Sequence, residues 1–215
     1  MKYQFHFSAE EIPQIAGALF ALAFSFEFIL FRDEIFEQGA LFNLPAMLIF
    51  FVQALIAVGV GFVLHELGHK YVAQKKGLWA EFRAWPAGLL LAIGMALISR
   101  GGFVFAAPGA VVISPLKKTK AGLVALKKLK KEDIGHIGII GAVINISIAG
   151  IAIVIAALTG LQLATLTAQV NSWLAIFNMI PLSVLDGAKV WHWSKSVWFG
   201  FTALCVAVFV LTVLL

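Results

Sequence analysis

The chain has 215 residues, of which 61% are hydrophobic and only 13% charged, with a mean hydropathy of +0.98 and a formal net charge of +5. Soluble domains run at about 45–50% apolar and about 25% charged residues, so the charges here are too few to cover a soluble body of this size. A cytosolic globular enzyme, a disordered region and a collagen-like chain are excluded, which leaves a polytopic membrane protein.

The opening residues, MKYQFHFSAEEIP, lack the apolar stretch and cleavage site of a signal peptide, so the first span is expected to act as insertion signal. A helix needs about 20 apolar residues to cross the hydrocarbon core. Residues 12–31 supply one such run and residues 45–68 a second. Residues 86–115 hold two shorter runs: about 14 residues up to Arg100-Gly101-Gly102, then FVFAAPGAVVIS, rich in β-branched and aromatic side chains. The expectation there is a short membrane helix plus a strand or re-entrant return over 102–114, paired with residues 80–84 and shielded from lipid by protein. Residues 116–136 alternate lysines with Leu123, Val124, Leu126 and Leu129, which fits either a surface-lying amphipathic helix or a solvated loop. Spans follow at 137–159, at 163–182 (less apolar) and at 197–215. The fold expected is thus an all-α polytopic membrane protein of about six transmembrane segments, with a small membrane-associated β element between the second span and residue 115. No repeat or linker divides it, so residues 1–215 are read as a single domain with its core over about 45–190. The single cysteine, Cys205, lies in an apolar run and forms no intrachain disulfide.

Lysine and arginine set the orientation. With the N-terminus inside, fourteen of the sixteen basic residues fall on the cytoplasmic side, among them Lys75, Lys76, Lys117, Lys118, Lys120, Lys127, Lys128, Lys130 and Lys131. Positive loops at a membrane surface account for the basic charge, and no nucleic-acid partner is implied.

The second span ends in His65-Glu66-Leu67-Gly68-His69. On a helix, side chains four apart share a face, so both imidazoles can hold one metal ion, and Glu66, about 100° around, can serve as a general base. Two neutral imidazoles and one oxygen ligand suit zinc, with a fourth position left open for water. Such charged groups are costly inside an apolar span unless they function. A third ligand must come from elsewhere, and Asp186 is favoured. Pro181 breaks the preceding helix, and the residues after it carry Asp186-Gly187 to the same inner level as His65 and His69. Asn145 lies at roughly 12 Å depth from that face, by helical rise. Glu27 is read as an interfacial acid near Arg32, Asp133 as solvated, and His6, His136 and His192 as interfacial. Asn145 and Asn171 can also simply hydrogen-bond between helices.

HELGH in one apolar span and N-x-x-P-x-x-x-x-D-G, from Asn178 to Gly187, in a later one together resemble the site-2 protease family of intramembrane zinc metalloproteases. The likeness covers most of the chain. It implies one zinc ion held by His65, His69 and Asp186, with Glu66 as catalytic base. Gly141-Ala-Val-Ile-Asn145 is similar to the family's G-x-x-x-N element, whose Asn is implied to bind substrate or stabilise the oxyanion. The 102–114 segment, with Phe103, Val104 and Phe105, is similar to the β structure that holds an unwound substrate. Ala142 and Ala188 depart from the usual Pro and Gly, and no stretch is long enough for the PDZ or CBS domains of many relatives. The implied activity is cleavage of peptide bonds within or next to transmembrane helices of other proteins, in the lipid bilayer and towards the cytoplasmic face. The sequence carries no signal for an oligomeric state. A non-catalytic zinc-binding membrane protein or metal carrier would need further polar residues across the bilayer, and few are present. A prenyl-protein protease would take its third ligand from a glutamate, which the Asp-Gly element fits poorly.

Overall fold

The computed structural model describes residues 5–119, 122–125 and 128–214. Lys120, Leu126 and Lys127, counted above among the basic and alternating residues, lie outside them, as does the start of the opening segment.

Helix α1 (Glu11–Leu30) leads through a short α2 (Arg32–Phe36) and a 3-10 turn (Ala40–Phe42) into α3 (Leu44–Lys75). Asn43 starts α3 by accepting a hydrogen bond from Ala46 N at 3.2 Å, with Pro45 pre-set for the first turn. Phe31 stacks on Phe50 while Leu19 approaches Gly59, so α1 and α3 run antiparallel. At 32 residues α3 is about 48 Å long by helical rise, longer than the hydrocarbon core. HELGH ends six residues before its C-terminal end.

Strand β1 (Trp79–Ala84) follows, then α4 (Pro86–Ile98) and strand β2 (Gly109–Ser114). The strands pair antiparallel, with Trp79 opposite Ser114 and Ala84 opposite Gly109, so the expected pairing of residues 80–84 is present. The strand starts at Gly109, however, and not near residue 102: Pro108 has no N–H to give, and Phe103–Pro108 approach it without regular structure. Residues 116–119 and 122–125 depart further from expectation. In place of an amphipathic helix or open loop they form β3 (Leu116–Thr119) and β4 (Gly122–Ala125), paired with Leu116 opposite Ala125. Pro115, Gly122 and the β-branched Thr119 and Val124 are poor helix formers, and that local preference outweighs the alternation.

The last part comprises α5 (Lys131–Thr159), α6 (Gln162–Met179), α7 (Asp186–Trp193) and α8 (Lys195–Val213). Gly160, at φ +66°, closes α5 in the left-handed conformation. Ser194 caps α8 by accepting from Val197 N.

Among the described residues, four helices are long and apolar enough to cross a membrane: α1, α3, α5 and α8. They mark a membrane protein. They do not confirm the expected number of about six. With 13 residues, α4 spans only about 20 Å, and α6 carries Gln162, Gln169, Asn171, Ser172 and Asn178. It tolerates them because it packs among α3, α5, α7 and α8, where Asn171 and Ser172 are fully buried and hydrogen-bonded.

Two acids differ from their sequence reading. Asp133 is buried at the start of α5 and paired with Lys76 Nζ at 2.9 Å, because α3 extends far enough to cover it. Glu27 is buried within α1 rather than interfacial, while Arg32 sits exposed on the next helix. Glu11 is completely buried: Lys70 Nζ donates to Glu11 Oε2 at 2.7 Å, to Oε1 at 3.0 Å and to Ala80 O at 3.0 Å. All three ammonium protons thus have acceptors, which is what makes a buried lysine tolerable.

A candidate metal centre

Three elements deliver the site. The end of α3 brings His65, Glu66 and His69, the first half of α5 brings Gly141 and Asn145, and the start of α7 brings Asp186 and Lys189. The chain reaches Asp186 because α6 stops at Met179, ahead of Pro181, and an irregular stretch turns back into α7. Gly187 is required there, since a Cβ would run into Met179 O.

His65, His69 and Asp186 are all buried, and their ligand atoms lie within 4.8 Å of one another. His69 Nε2 is 2.9 Å from His65 Nε2 and 2.8 Å from Asp186 Oδ2, which is 3.2 Å from His65 Nε2. The far side of each ring fixes its tautomer. His69 Nδ1–H donates to Ile137 O at 2.5 Å, and His65 Nδ1–H donates to Asn145 Oδ1 at 2.5 Å. The amide orientation follows from Asn145 Nδ2, which donates to Asn171 Oδ1 at 2.9 Å; Asn171 in turn donates to Ala57 O and Thr167 O. Both Nε2 atoms therefore present lone pairs, and they face a carboxylate oxygen. Three converging acceptors repel one another unless a cation sits among them, so the donor set fits a metal ion, and its nitrogen and oxygen composition fits zinc.

Glu66 is 6% exposed, and its Oε2 is buried with no hydrogen-bond partner in the protein. It borders a cavity of about 30 Å3, room for one or two waters, together with His65, His69, Asp186, Asn178 and the segment Ala106–Val111. Gly141 makes the cluster possible: a Cβ there would lie 2.5 Å from both His65 Nε2 and His69 Nε2. Lys189, one turn after Asp186, lies with Nζ 2.8 Å from Asp186 Oδ1, and that carboxylate raises the pKa of the lysine against the opposing effect of burial.

The residues singled out from sequence are therefore brought together in the main. His65, Glu66, His69 and Asp186 meet at one point, and Asn145 meets them as the partner of His65. Phe103, Val104 and Phe105 do not line the cavity. Val104 is fully buried, Phe103 packs near Trp173, and Phe105 packs edge-on against Phe177 and Trp85. The residues immediately after them line it instead. Lys189 and Asn178 were not singled out as site residues, although each sits a recognisable step from Asp186: Lys189 at i+3 on the same helix, Asn178 as the first position of the N-x-x-P element.

No family model matches the chain, and no solved structure matches it. The putative zinc metalloprotease MJ0611 of Methanocaldococcus jannaschii is 32% identical over 199 residues, which is 90% of this chain and 90% of that protein. The zinc metalloprotease MJ0392 of the same organism is 28% identical over 147 residues, covering 66% of this chain and 34% of that protein's own length.

Proposed function

Because the chain belongs to a family of zinc metalloproteases, we propose that it is an intramembrane member of site-2 type that hydrolyses peptide bonds within or next to transmembrane helices of other membrane proteins. The observation that carries this reading is the convergence of two imidazoles and a carboxylate beside an unpartnered, buried Glu66, on a helix apolar enough to cross a membrane.

One ion would be held by His65 Nε2, His69 Nε2 and Asp186 Oδ2; bound zinc supplies a Lewis acid and lowers the pKa of water to roughly 7. Everything else is done by the chain. Asn145 and the Ile137 carbonyl hold the two rings in the tautomer that leaves Nε2 free. Glu66 takes a proton from a water in the cavity at its free carboxylate oxygen and delivers it to the leaving amine nitrogen. The single unit, with its core over about 45–190, acts as one domain with the N-terminus and the site towards the cytoplasmic face. Lys75, Lys76, Lys130 and Lys131 lie at the same ends of α3 and α5 as the site, which supports that orientation.

A helix cannot be cut while its backbone is hydrogen-bonded to itself, so a substrate must unwind and find other partners. The small sheet offers them on one side only. The outward edge of β1 is covered by α1 and α3: Ala80 O accepts from Lys70 and Gln74, Phe82 N donates to Glu11 at 2.8 Å, and Ala84 N donates to Gln14 at 2.9 Å. The register turns the N–H and C=O of Gly109, Val111 and Ile113 outward on β2, and these meet no hydrogen-bond partner among the described residues. Gly109 and Val111 border the cavity. An unwound segment paired with β2 would lie alongside Glu66.

Glu66→Gln tests the reading. The variant should keep its metal, fold as the wild type does and lose cleavage of a transmembrane substrate in proteoliposomes; undiminished cleavage would remove the assignment.

A further inference from the structure

The carboxylate of Asp186 is divided between two partners. Its Oδ2 faces His65 Nε2 and His69 Nε2, while its Oδ1 lies 2.8 Å from Lys189 Nζ. The lysine reaches that position by helical geometry, three residues after Asp186 on α7, and by close approach of α5: a Cβ at Gly138 would lie 2.8 Å from Lys189 Cβ and 3.4 Å from its Cδ. Its side chain is 28% exposed and borders the same cavity as Glu66. Among the described residues, Asp186 is its ion partner.

A carboxylate whose oxygens are both free can close on a cation through one of them or through both. A hydrolytic zinc site needs the first, because three protein ligands must leave a position for water. From this division of the two oxygens we infer that Lys189 is a positioning residue that confines Asp186 to one-oxygen ligation and so keeps the coordination position beside Glu66 open. The inference rests on the metal centre proposed above and adds a residue to it. The pairing is a charge-assisted hydrogen bond at a partly shielded position, and it fixes Oδ1 in a way a neutral, non-donating side chain of the same length cannot. Arginine retains both the charge and the donors.

The test uses the full chain purified in detergent, as wild type, Lys189→Met and Lys189→Arg, loaded in turn with Zn2+ and with Co2+. Zinc affinity is read by competition with a chromophoric chelator, and cobalt coordination number by visible absorption, where four-coordinate sites absorb several-fold more strongly than five-coordinate ones. Lys189→Met should weaken zinc binding about 10- to 100-fold, the range for loss of an outer partner of a ligand, and should shift the cobalt spectrum towards the weaker, five-coordinate form. Lys189→Arg should restore both. Wild-type affinity and spectrum in Lys189→Met would overturn the inference and leave the metal centre standing, as would an arginine variant that behaves like the methionine one. A wild-type chain that binds no zinc would overturn the centre and the inference together.

Discussion

Gly141→Ala asks whether the two imidazoles really meet at one point. A methyl group at residue 141 would lie 2.5 Å from His65 Cε1, from His65 Nε2 and from His69 Nε2. Carbon and nitrogen settle at about 3.5–4.0 Å, so the rings must withdraw by about 1 Å. Metal ligands tolerate about 0.2 Å. Relief by rotation is opposed on the far side of each ring, where His65 is held by Asn145 and His69 by the Ile137 carbonyl. Overpacking of this kind costs about 1–3 kcal/mol, which corresponds to a loss of about 5- to 150-fold in zinc affinity if the strain falls on the metal-bound arrangement. Gly150 is the matched control: it lies on the same helix, and a Cβ there meets nothing within 4 Å. Zinc content after dialysis, measured alongside thermal unfolding in detergent, separates the site from the fold. Gly141→Ala should lose metal while Gly150→Ala keeps it. An alanine at 141 that binds zinc as tightly as wild type would refute the convergence of the two rings on this face of α5.

Two further changes probe the supports of the site. Asn145→Ala leaves His65 Nδ1 and Asn171 Oδ1 without their buried partners and should lower zinc affinity about 10- to 100-fold; unchanged affinity by chelator competition would show that Asn145 does not orient the ring. Lys70→Met strands the buried Glu11 carboxylate and should cost about 3–5 kcal/mol of stability, whereas the double change Glu11→Leu with Lys70→Met should recover most of it. Thermal denaturation in detergent reads both, and a single variant as stable as wild type would mean that the pair is not buried in the membrane-bound protein.

Much of the site could be read from the sequence because its chemistry is written in short, fixed spacings. His65 and His69 are one helical turn apart, and the break at Pro181 announces that Asp186 does not simply continue the preceding helix. Asn145 could be placed by depth alone. What escaped depends on partners distant in sequence. Glu11 and Lys70 are 59 residues apart, and nothing in their own neighbourhoods announces that the fold pairs them beside β1. Asp133 reads as solvated among its lysine neighbours, yet Lys76, 57 residues earlier, folds over it. The pairing of β3 with β4 is hidden for a different reason: lysine alternating with leucine and valine is compatible with a helix or a strand, and the glycine and β-branched residues decide between them. Phe103 and Phe105 read as strand-formers, but their rings pack on α6 and on Trp85, and the strand itself begins after the proline.

The closed side of β1 has a bearing on selectivity. Since Glu11, Gln14, Lys70 and Gln74 bond to that side, a guest polypeptide of the kind proposed would have a single lane along β2, and it could travel that lane in only two directions. Parallel and antiparallel guests space their carbonyls differently, and a slip of one residue turns every side chain over. An enzyme working this way would distinguish between two membrane helices of identical composition threaded oppositely through the bilayer. The way a guest is inserted would then count as much as the residues it carries.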